Sequence, residues 1–235
     1  MRHPPFDLLT ARVGHQHGLA RLQNLANEEY GSTGIWAGFG PRFLKPVGIN
    51  ETKEMLIRAV FARLLNGLRE VHTHKLLHLD IKPSNVYLRN DGQPVLIDFG
   101  AARQTLSIDT PLLKPMYTPG FAAPEQYNNT RRELLGPWTD IYSIGASMYA
   151  CMAAAAPQAA DQRLDRDQLV SALKRWPDKY SRQLLETVDW CMRLNYLERP
   201  QSVFALQKAL ADRERNVPKP TFLGGLRKHV RDLMK

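Results

Sequence analysis

The spacing of apolar and polar residues divides the chain into a weakly patterned beginning and a strongly patterned remainder. Glycine and proline are frequent over the first 50 residues, and the apolar residues there follow no regular period. From Met55 to Val71, apolar residues recur every three or four positions, with arginine and glutamate between them. This spacing is typical of a helix with one buried face. It predicts an amphipathic helix of about twenty residues that begins near Glu51.

Three short apolar runs follow the predicted helix. They lie at Lys75–Leu77, Val86–Leu88 and Val95–Ile97. The segment Asn90–Gly92 separates the second run from the third, and its Asn-Asp-Gly sequence is a strong signal for a hairpin turn. The sequence therefore predicts a small β-hairpin after the helix.

Helical spacing returns from Thr139 onwards and extends to Arg213. The predicted helices are Asp140–Met152, Asp167–Arg175, Arg182–Leu194 and Ser202–Arg213. A long helix, a small hairpin, a long loop and a block of helices together indicate an α+β fold that is mainly helical.

Composition narrows the classes of protein that fit this pattern. The chain has 235 residues, of which 43% are hydrophobic and 23% charged, as in a soluble globular protein with one core. It contains no apolar run of membrane-spanning length and no signal-peptide pattern. Its two cysteines, Cys151 and Cys191, have neither metal-binding nor redox spacing. We expect a cytoplasmic protein in which both thiols are buried.

Two short motifs flank the predicted hairpin and carry candidate chemistry. The first, His78–Asn85, reads HLDIKPSN, and the second, Asp98–Gly100, reads DFG. Together they resemble the catalytic loop and the metal-binding motif of protein kinases. Three further kinase landmarks follow in the family's order: TPGFAAPE at Thr118–Glu125, WTDIYSIG at Trp138–Gly145 and ERP at Glu198–Pro200. Their joint occurrence in this order distinguishes the match from a single chance motif.

The resemblance implies a role for each polar residue of these first two motifs. Asp80 would accept the proton of the substrate hydroxyl, and Lys82 would offset charge that develops on the phosphate. The side chains of Asn85 and Asp98 would be oxygen ligands of Mg²⁺, with Mn²⁺ as an alternative ion. ATP would be the phosphoryl donor.

Other residues would support this site rather than take part in the chemistry. By resemblance, Thr118 would bond to the catalytic Asp and Lys and shape the substrate site. Asp140 would hold the backbone of the catalytic loop, to which His78 also belongs. Arg199 would pair with Glu125 of the APE element.

The sequences of these motifs are most similar to those of bacterial Ser/Thr kinases of the eukaryotic type. This implies a protein-kinase-like fold, in which residues 51–213 form the catalytic C-terminal lobe. It also implies transfer of the ATP γ-phosphoryl group to Ser or Thr of a protein substrate. Small-molecule kinases of the aminoglycoside phosphotransferase type share the His-x-Asp loop, but they lack the later landmarks.

Leu79 departs from the family at the position beside the catalytic aspartate. Many kinases have an arginine there that binds a phosphate group on the activation loop. The replacement of this arginine by leucine indicates that phosphorylation of the activation loop does not switch the kinase on. We therefore interpret Thr105, Ser107, Thr110 and Tyr117 as ordinary loop hydroxyls.

The nucleotide-binding half of a kinase is not visible in residues 1–50. They contain no G-x-G-x-x-G motif followed by Val and no Val-Ala-x-Lys. The glycine-rich run Gly31–Gly40 and the single Lys45 are poor substitutes, so the ATP-clamping residues stay unassigned. This segment is atypical, truncated or misread. A catalytically inactive kinase-like lobe that acts as an interaction module is therefore the alternative function.

Residues 214–235 form a basic linker and an amphipathic tail. The net charge of +9 favours an acidic partner, and much of the excess lies near this end of the chain. Residues 222–235 alternate apolar and basic positions at helical spacing. They would dock on their own domain or bind peripherally to the surface of an anionic membrane. We expect no nucleic-acid partner, because no basic patch is interleaved with aromatic residues.

Overall fold

The computed structural model describes residues 50–89, 93–104, 117–127 and 132–211. The predicted turn at Asn90–Gly92, the loop hydroxyls Thr105, Ser107 and Thr110, the glycine-rich run and Lys45, and the tail after residue 213 lie outside these residues.

Helix α1 (Asn50–Thr73) confirms the amphipathic helix and is 24 residues long. Its apolar stripe is buried, as the three- and four-residue spacing predicts. The buried positions are Ile57, Val60, Phe61, Leu64, Leu65 and Leu68. The helix ends where Lys75 takes up a left-handed backbone conformation, with φ of 59°.

Within the described ranges, four short strands form two antiparallel pairs around the catalytic loop. Strands β2 (Val86–Leu88) and β3 (Pro94–Leu96) form the predicted hairpin, with Val86 opposite Leu96. Strand β1 (Leu76–Leu77) pairs with β4 (Arg103–Gln104). Strand β4 was not predicted, because two residues show no period and only the pairing with β1 defines them.

The helical block contains five α-helices in the part of the chain that the structure describes. They are α2 (Pro137–Ala153), α3 (Ala160–Asp165), α4 (Ala172–Arg175), α5 (Arg182–Cys191) and α6 (Val203–Ala211). Single 3₁₀ turns lie at Pro83–Asn85, Phe99–Ala101, Pro124–Tyr127, Arg132–Leu134 and Tyr196–Glu198. The architecture confirms a mainly helical α+β fold with small β-pairs around the catalytic loop.

The predicted helix at Asp167–Arg175 is wrong over its first half. The backbone is extended at Arg166, and only α4 is helical. The Asp189 carboxylate accepts hydrogen bonds from the amides of Ala172, at 2.6 Å, and Leu173, at 3.1 Å. These amides lie in the first turn of α4, so a side chain from α5 fixes where α4 begins.

The helix predicted at Arg182–Leu194 ends three residues early. Met192 leaves the helical region at the end of α5, with φ of −92° and ψ of 15°. Asn195 then accepts a hydrogen bond from the amide of Leu197 and begins a separate 3₁₀ turn. Local capping by this asparagine favours a turn over another turn of α-helix.

Helix α2 is the centre of the core and is buried on nearly all sides. It packs against α1 and α5, and Gly145 is the point of closest approach to α5. A Cβ atom built at Gly145 would lie 2.5 Å from the Cβ of Cys191 and 3.1 Å from the Cγ of Met192. Cys191 is itself fully buried, and burial raises the pKa of its thiol. The expectation of two buried cysteines holds for Cys191 alone, because Cys151 is only partly buried as a residue. The surroundings of its thiol nevertheless raise the pKa of Cys151 to about 12.

Within the described residues, no helix combines the length and the apolar character that crossing a bilayer requires.

Replacing Gly145 by alanine should destabilise the protein. Alanine is the better helix former by about 1 kcal/mol, but its methyl group has no room beside Cys191. Overpacking of a dense core typically costs about 1–3 kcal/mol. We expect a lower free energy of unfolding in urea denaturation. An unchanged or higher value would contradict the close approach of α2 and α5.

Ser147→Ala on the same helix is the matched control. The Ser147 hydroxyl is buried and has no hydrogen-bond partner. Its removal should leave the free energy of unfolding unchanged or raise it.

Candidate active site

The Asp80 carboxylate is the most heavily bonded group of the catalytic loop. Its Oδ1 atom accepts a 2.7 Å hydrogen bond from the Thr118 hydroxyl. Its Oδ2 atom accepts from the Lys82 ammonium group at 2.7 Å and from Nδ2 of Asn85 at 3.0 Å. Asn85 also donates to the Asp80 carbonyl oxygen at 2.8 Å. Four of the predicted site residues therefore meet at one carboxylate.

Lys82 and Thr118 also contact each other. The Lys82 Nζ atom donates to the Thr118 hydroxyl oxygen at 2.8 Å, which closes a triangle with Asp80. The side chains of Lys82 and Asp80 are 22% and 12% exposed. The ion pair thus lies at the edge of the core, where a second molecule can reach it. Because Thr118 comes from a distant segment, the triangle joins the catalytic loop to the chain that follows the activation loop.

The hairpin places Asn85 and Asp98 at the same end. Asn85 directly precedes β2, and its backbone carbonyl oxygen accepts a 2.9 Å hydrogen bond from the amide of Ile97, which directly follows β3. Asp98 comes next, in a left-handed conformation with φ of 63°, and its Oδ1 atom accepts from the amide of Gly100. The pairing of β2 with β3 thus fixes the relative positions of the two predicted metal ligands.

His78 is a structural residue beneath the site. Its ring is completely buried and packs 4.7 Å from the ring of Phe99. Nε2 donates to the Ile97 carbonyl oxygen at 3.2 Å, and Nδ1 accepts from the Asp80 amide at 3.3 Å. Burial lowers the pKa of His78. A neutral ring fits this pattern of one donor and one acceptor.

Asp140, in the first turn of α2, holds the backbone of the catalytic loop. Its carboxylate accepts from the amides of His78, at 2.9 Å, and Leu79, at 2.8 Å. A third donor, Nε2 of His72, lies 2.8 Å from Oδ2. Burial by itself would raise the pKa of Asp140, but the hydrogen bond and attraction from His72, together with His78, hold it below its ordinary value.

Glu125 and Arg199 form the predicted ion pair, and both side chains are 0% exposed. The two groups make two hydrogen bonds, of 2.8 and 3.0 Å. Glu125 also accepts from the Thr139 hydroxyl. The guanidinium group additionally donates to backbone carbonyls and lies 4.9 Å from the ring centre of Tyr142. With these partners a buried pair is fully hydrogen-bonded.

Some residues of this region carry no sequence signal that would have identified them. His72 is one histidine at the end of a long helix, and nothing in its spacing marks it as a hydrogen-bond partner of Asp140. Arg163 donates to the Tyr142 hydroxyl at 3.1 Å and to the Met192 carbonyl. Its burial depends on α3, a helix that the sequence did not predict.

Comparison with known proteins identifies the family of the chain. The protein kinase domain, as a family, matches residues 43–211, well over half of the chain. The chain belongs to the protein kinase family.

Several curated kinases are similar to this kinase chain. A probable serine/threonine-protein kinase of Dictyostelium discoideum is 30% identical over 155 residues, which are 65% of this chain and 22% of that protein. Human rhodopsin kinase GRK1 is 30% identical over 144 residues, or 58% of this chain and 24% of that protein. The serine/threonine-protein kinase PknK of Mycobacterium tuberculosis is 29% identical over 150 residues, or 59% and 12%.

A solved structure, the apo form of PpkA-294, is similar in fold. It superposes with a TM-score of 0.62 and 31% identity over 77% of this chain and 60% of that chain. The predicted resemblance to eukaryotic-type Ser/Thr kinases is confirmed by these relatives. The chain spans less than a quarter of the length of each curated relative described above. The boundaries at residues 50 and 213 and the catalytic roles of the site residues stay predictions.

Asp140→Asn should weaken the fold in a way that depends on pH. Because the folded-state pKa of Asp140 lies below its ordinary value of 3.8, ionised Asp140 stabilises the protein above that value. This contribution is lost as pH falls through the folded-state pKa. We expect the variant to melt well below the wild type at pH 7 and the difference to shrink between pH 5 and pH 2.

Melting curves recorded across this pH range would measure the effect. Asp178→Asn, at an exposed position, is the control for the loss of one negative charge. A difference between wild type and Asp140→Asn that is the same at every pH would contradict the prediction.

Proposed function

We propose that this chain transfers the γ-phosphoryl group of ATP to a Ser or Thr hydroxyl of a protein. The observation that carries the proposal is the triangle of Asp80, Lys82 and Thr118, whose polar atoms lie 2.7–2.8 Å apart. Phosphoryl transfer needs positioning and charge compensation more than covalent participation by the protein. A carboxylate fixed by an ammonium group and a hydroxyl meets both needs.

Asp80 would accept the proton of the attacking hydroxyl. Its carboxylate is oriented by Thr118 on one oxygen and by Lys82 and Asn85 on the other. Lys82 would balance the negative charge that grows on the transferred group, because its ammonium group lies beside Asp80 on a side chain that is partly exposed.

Asn85 and Asp98 would hold Mg²⁺, with Mn²⁺ as an alternative because it accepts similar oxygen ligands. The Nδ2 atom of Asn85 is used by Asp80, which leaves the amide oxygen as the ligand. Among the described residues there is no group of three or more His, Cys, Asp or Glu suited to a metal. Two protein oxygens fit an ion that takes its other ligands from water and phosphate. When bound, Mg²⁺ would neutralise phosphate charge.

The burial of Leu79 is an argument for a kinase activity that does not depend on phosphorylation of the activation loop. Its side chain is buried in a small apolar cluster with Leu77, Ala101 and Leu135. An apolar side chain enclosed in this way offers no charge to a phosphate. Packing would thus take the place of an ionic contact between the catalytic loop and the segment that follows Asp98.

Asp80→Asn and Asp98→Asn should each abolish phosphoryl transfer to a basic protein substrate. Loss of a general base typically costs about 10²–10⁴-fold in rate. Incorporation of label from γ-labelled ATP would measure it, and chelation of Mg²⁺ should have the same effect. Asp178→Asn, which removes an exposed carboxylate from the helical block, is the control and should keep full activity.

Two outcomes would count against the proposal. Transfer that survives both substitutions would show that the assigned site is wrong. A wild-type chain that transfers no label and shows no thermal shift with Mg²⁺-ATP would instead favour the interaction module, a kinase-like lobe that binds a partner without catalysis.

A further inference from the structure

Leu79 has an unusual backbone conformation directly before the proposed base. Its φ is 65°, a left-handed value that bulky side chains disfavour. Such a conformation persists only where the surrounding structure fixes it. The peptide that links Leu79 to Asp80 therefore needs partners of its own.

Side chains hold Leu79 on both sides. Its amide donates to Asp140 at 2.8 Å, and its carbonyl oxygen accepts a 2.8 Å hydrogen bond from Nε2 of Gln126. Asp140 thus fixes the peptide before Leu79, and Gln126 fixes the peptide after it. The second of these is the peptide to which Asp80 is attached.

Gln126 uses both ends of its carboxamide. It lies in the 3₁₀ turn that begins at the proline of the APE element, and it is buried. Its Oε1 atom accepts from the amide of Ala123 at 2.9 Å, while Nε2 donates to Leu79. One donor and one acceptor are both required, so neither a carboxylate nor an apolar side chain can replace this group.

We propose that Gln126 is a positioning residue for Asp80, a role that rests on the proposed kinase activity. It clamps the peptide between Leu79 and Asp80 and so fixes the direction in which the Asp80 side chain leaves the backbone. The segment 118–126 then reaches Asp80 twice, through the Thr118 hydroxyl at the carboxylate and through Gln126 at the preceding peptide. The segment 118–126 therefore cannot pack against the catalytic loop without also orienting Asp80.

Gln126→Leu and Gln126→Glu test the clamp by steady-state kinetics. Leucine removes both hydrogen bonds, and we expect kcat to fall about tenfold to hundredfold. KM for ATP should change less than about threefold, because Gln126 has no direct part in the proposed nucleotide contacts. The near-isosteric Gln126→Glu is available if the leucine variant does not fold, and melting curves identify that case.

The glutamate variant adds a pH signature that a purely structural role would not give. An ionised carboxylate offers only acceptors to the Leu79 carbonyl, whereas a protonated one donates to it and still accepts from Ala123. Burial disfavours the charged form. The ratio of kcat in Gln126→Glu to kcat in wild type should therefore rise as the pH falls from 8 to 6.

Amide hydrogen exchange tests the clamp without any need for activity. Peptides that cover residues 78–81 should exchange about fivefold faster or more in Gln126→Leu than in wild type, because a loop without this bond opens more often and exposes the amides that donate to Asp140 and His78. Gln183→Leu is the matched control. It removes another buried carboxamide, one that accepts from Arg58 on α1, and should leave exchange at residues 78–81 unchanged.

The outcomes separate this inference from the proposed function. If wild type transfers no phosphoryl group, the proposed function fails, and the exchange experiment alone decides whether Gln126 clamps the loop. If wild type is active, a change in kcat below twofold in Gln126→Leu, a flat pH ratio in Gln126→Glu, or unchanged exchange would each overturn the inference.

Discussion

A buried carboxylate in the first turn of α2 is the constraint on which the site depends. Asp140 lies inside the core, where an ionised group is costly unless hydrogen bonds replace water. It obtains these bonds from the catalytic loop and from His72, so the helix and the loop satisfy each other. The position of Asp80 is consequently set by the packing of a helix that never touches the reacting atoms.

The second support of the site comes from the segment that ends at Tyr127. Glu125 fixes this segment to the helical block through the buried pair with Arg199. Thr118 then reaches Asp80 from the same segment. The catalytic loop is thus held between α2 on one side and, on the other, a segment tied to Arg199, which lies between α5 and α6. Loss of either buried charge would leave the opposite charge without a partner, which is strongly destabilising.

The sequence predicted which residues meet at the candidate site better than it predicted the structure that supports them. The kinase motifs restrict both the residue types and their order, which is why the sequence alone points to Asp80, Lys82, Asn85 and Asp98. The start of α4 could not be predicted from the local sequence, because Asp189 of α5 fixes it. The left-handed conformation of Leu79 was also not readable, since its cost is met by hydrogen bonds between residues far apart in sequence. Long-range side-chain bonds to the backbone explain most of what was missed.

The two cysteines give the folded chain a built-in reporter. Alkylating reagents attack the thiolate, and burial keeps both thiols protonated at neutral pH. Cys191 lies at the contact between α2 and α5, so it becomes reactive only when that contact opens. The rate at which iodoacetamide labels this position would therefore measure how often the helical block separates, with no introduced cysteine and no catalytic assay.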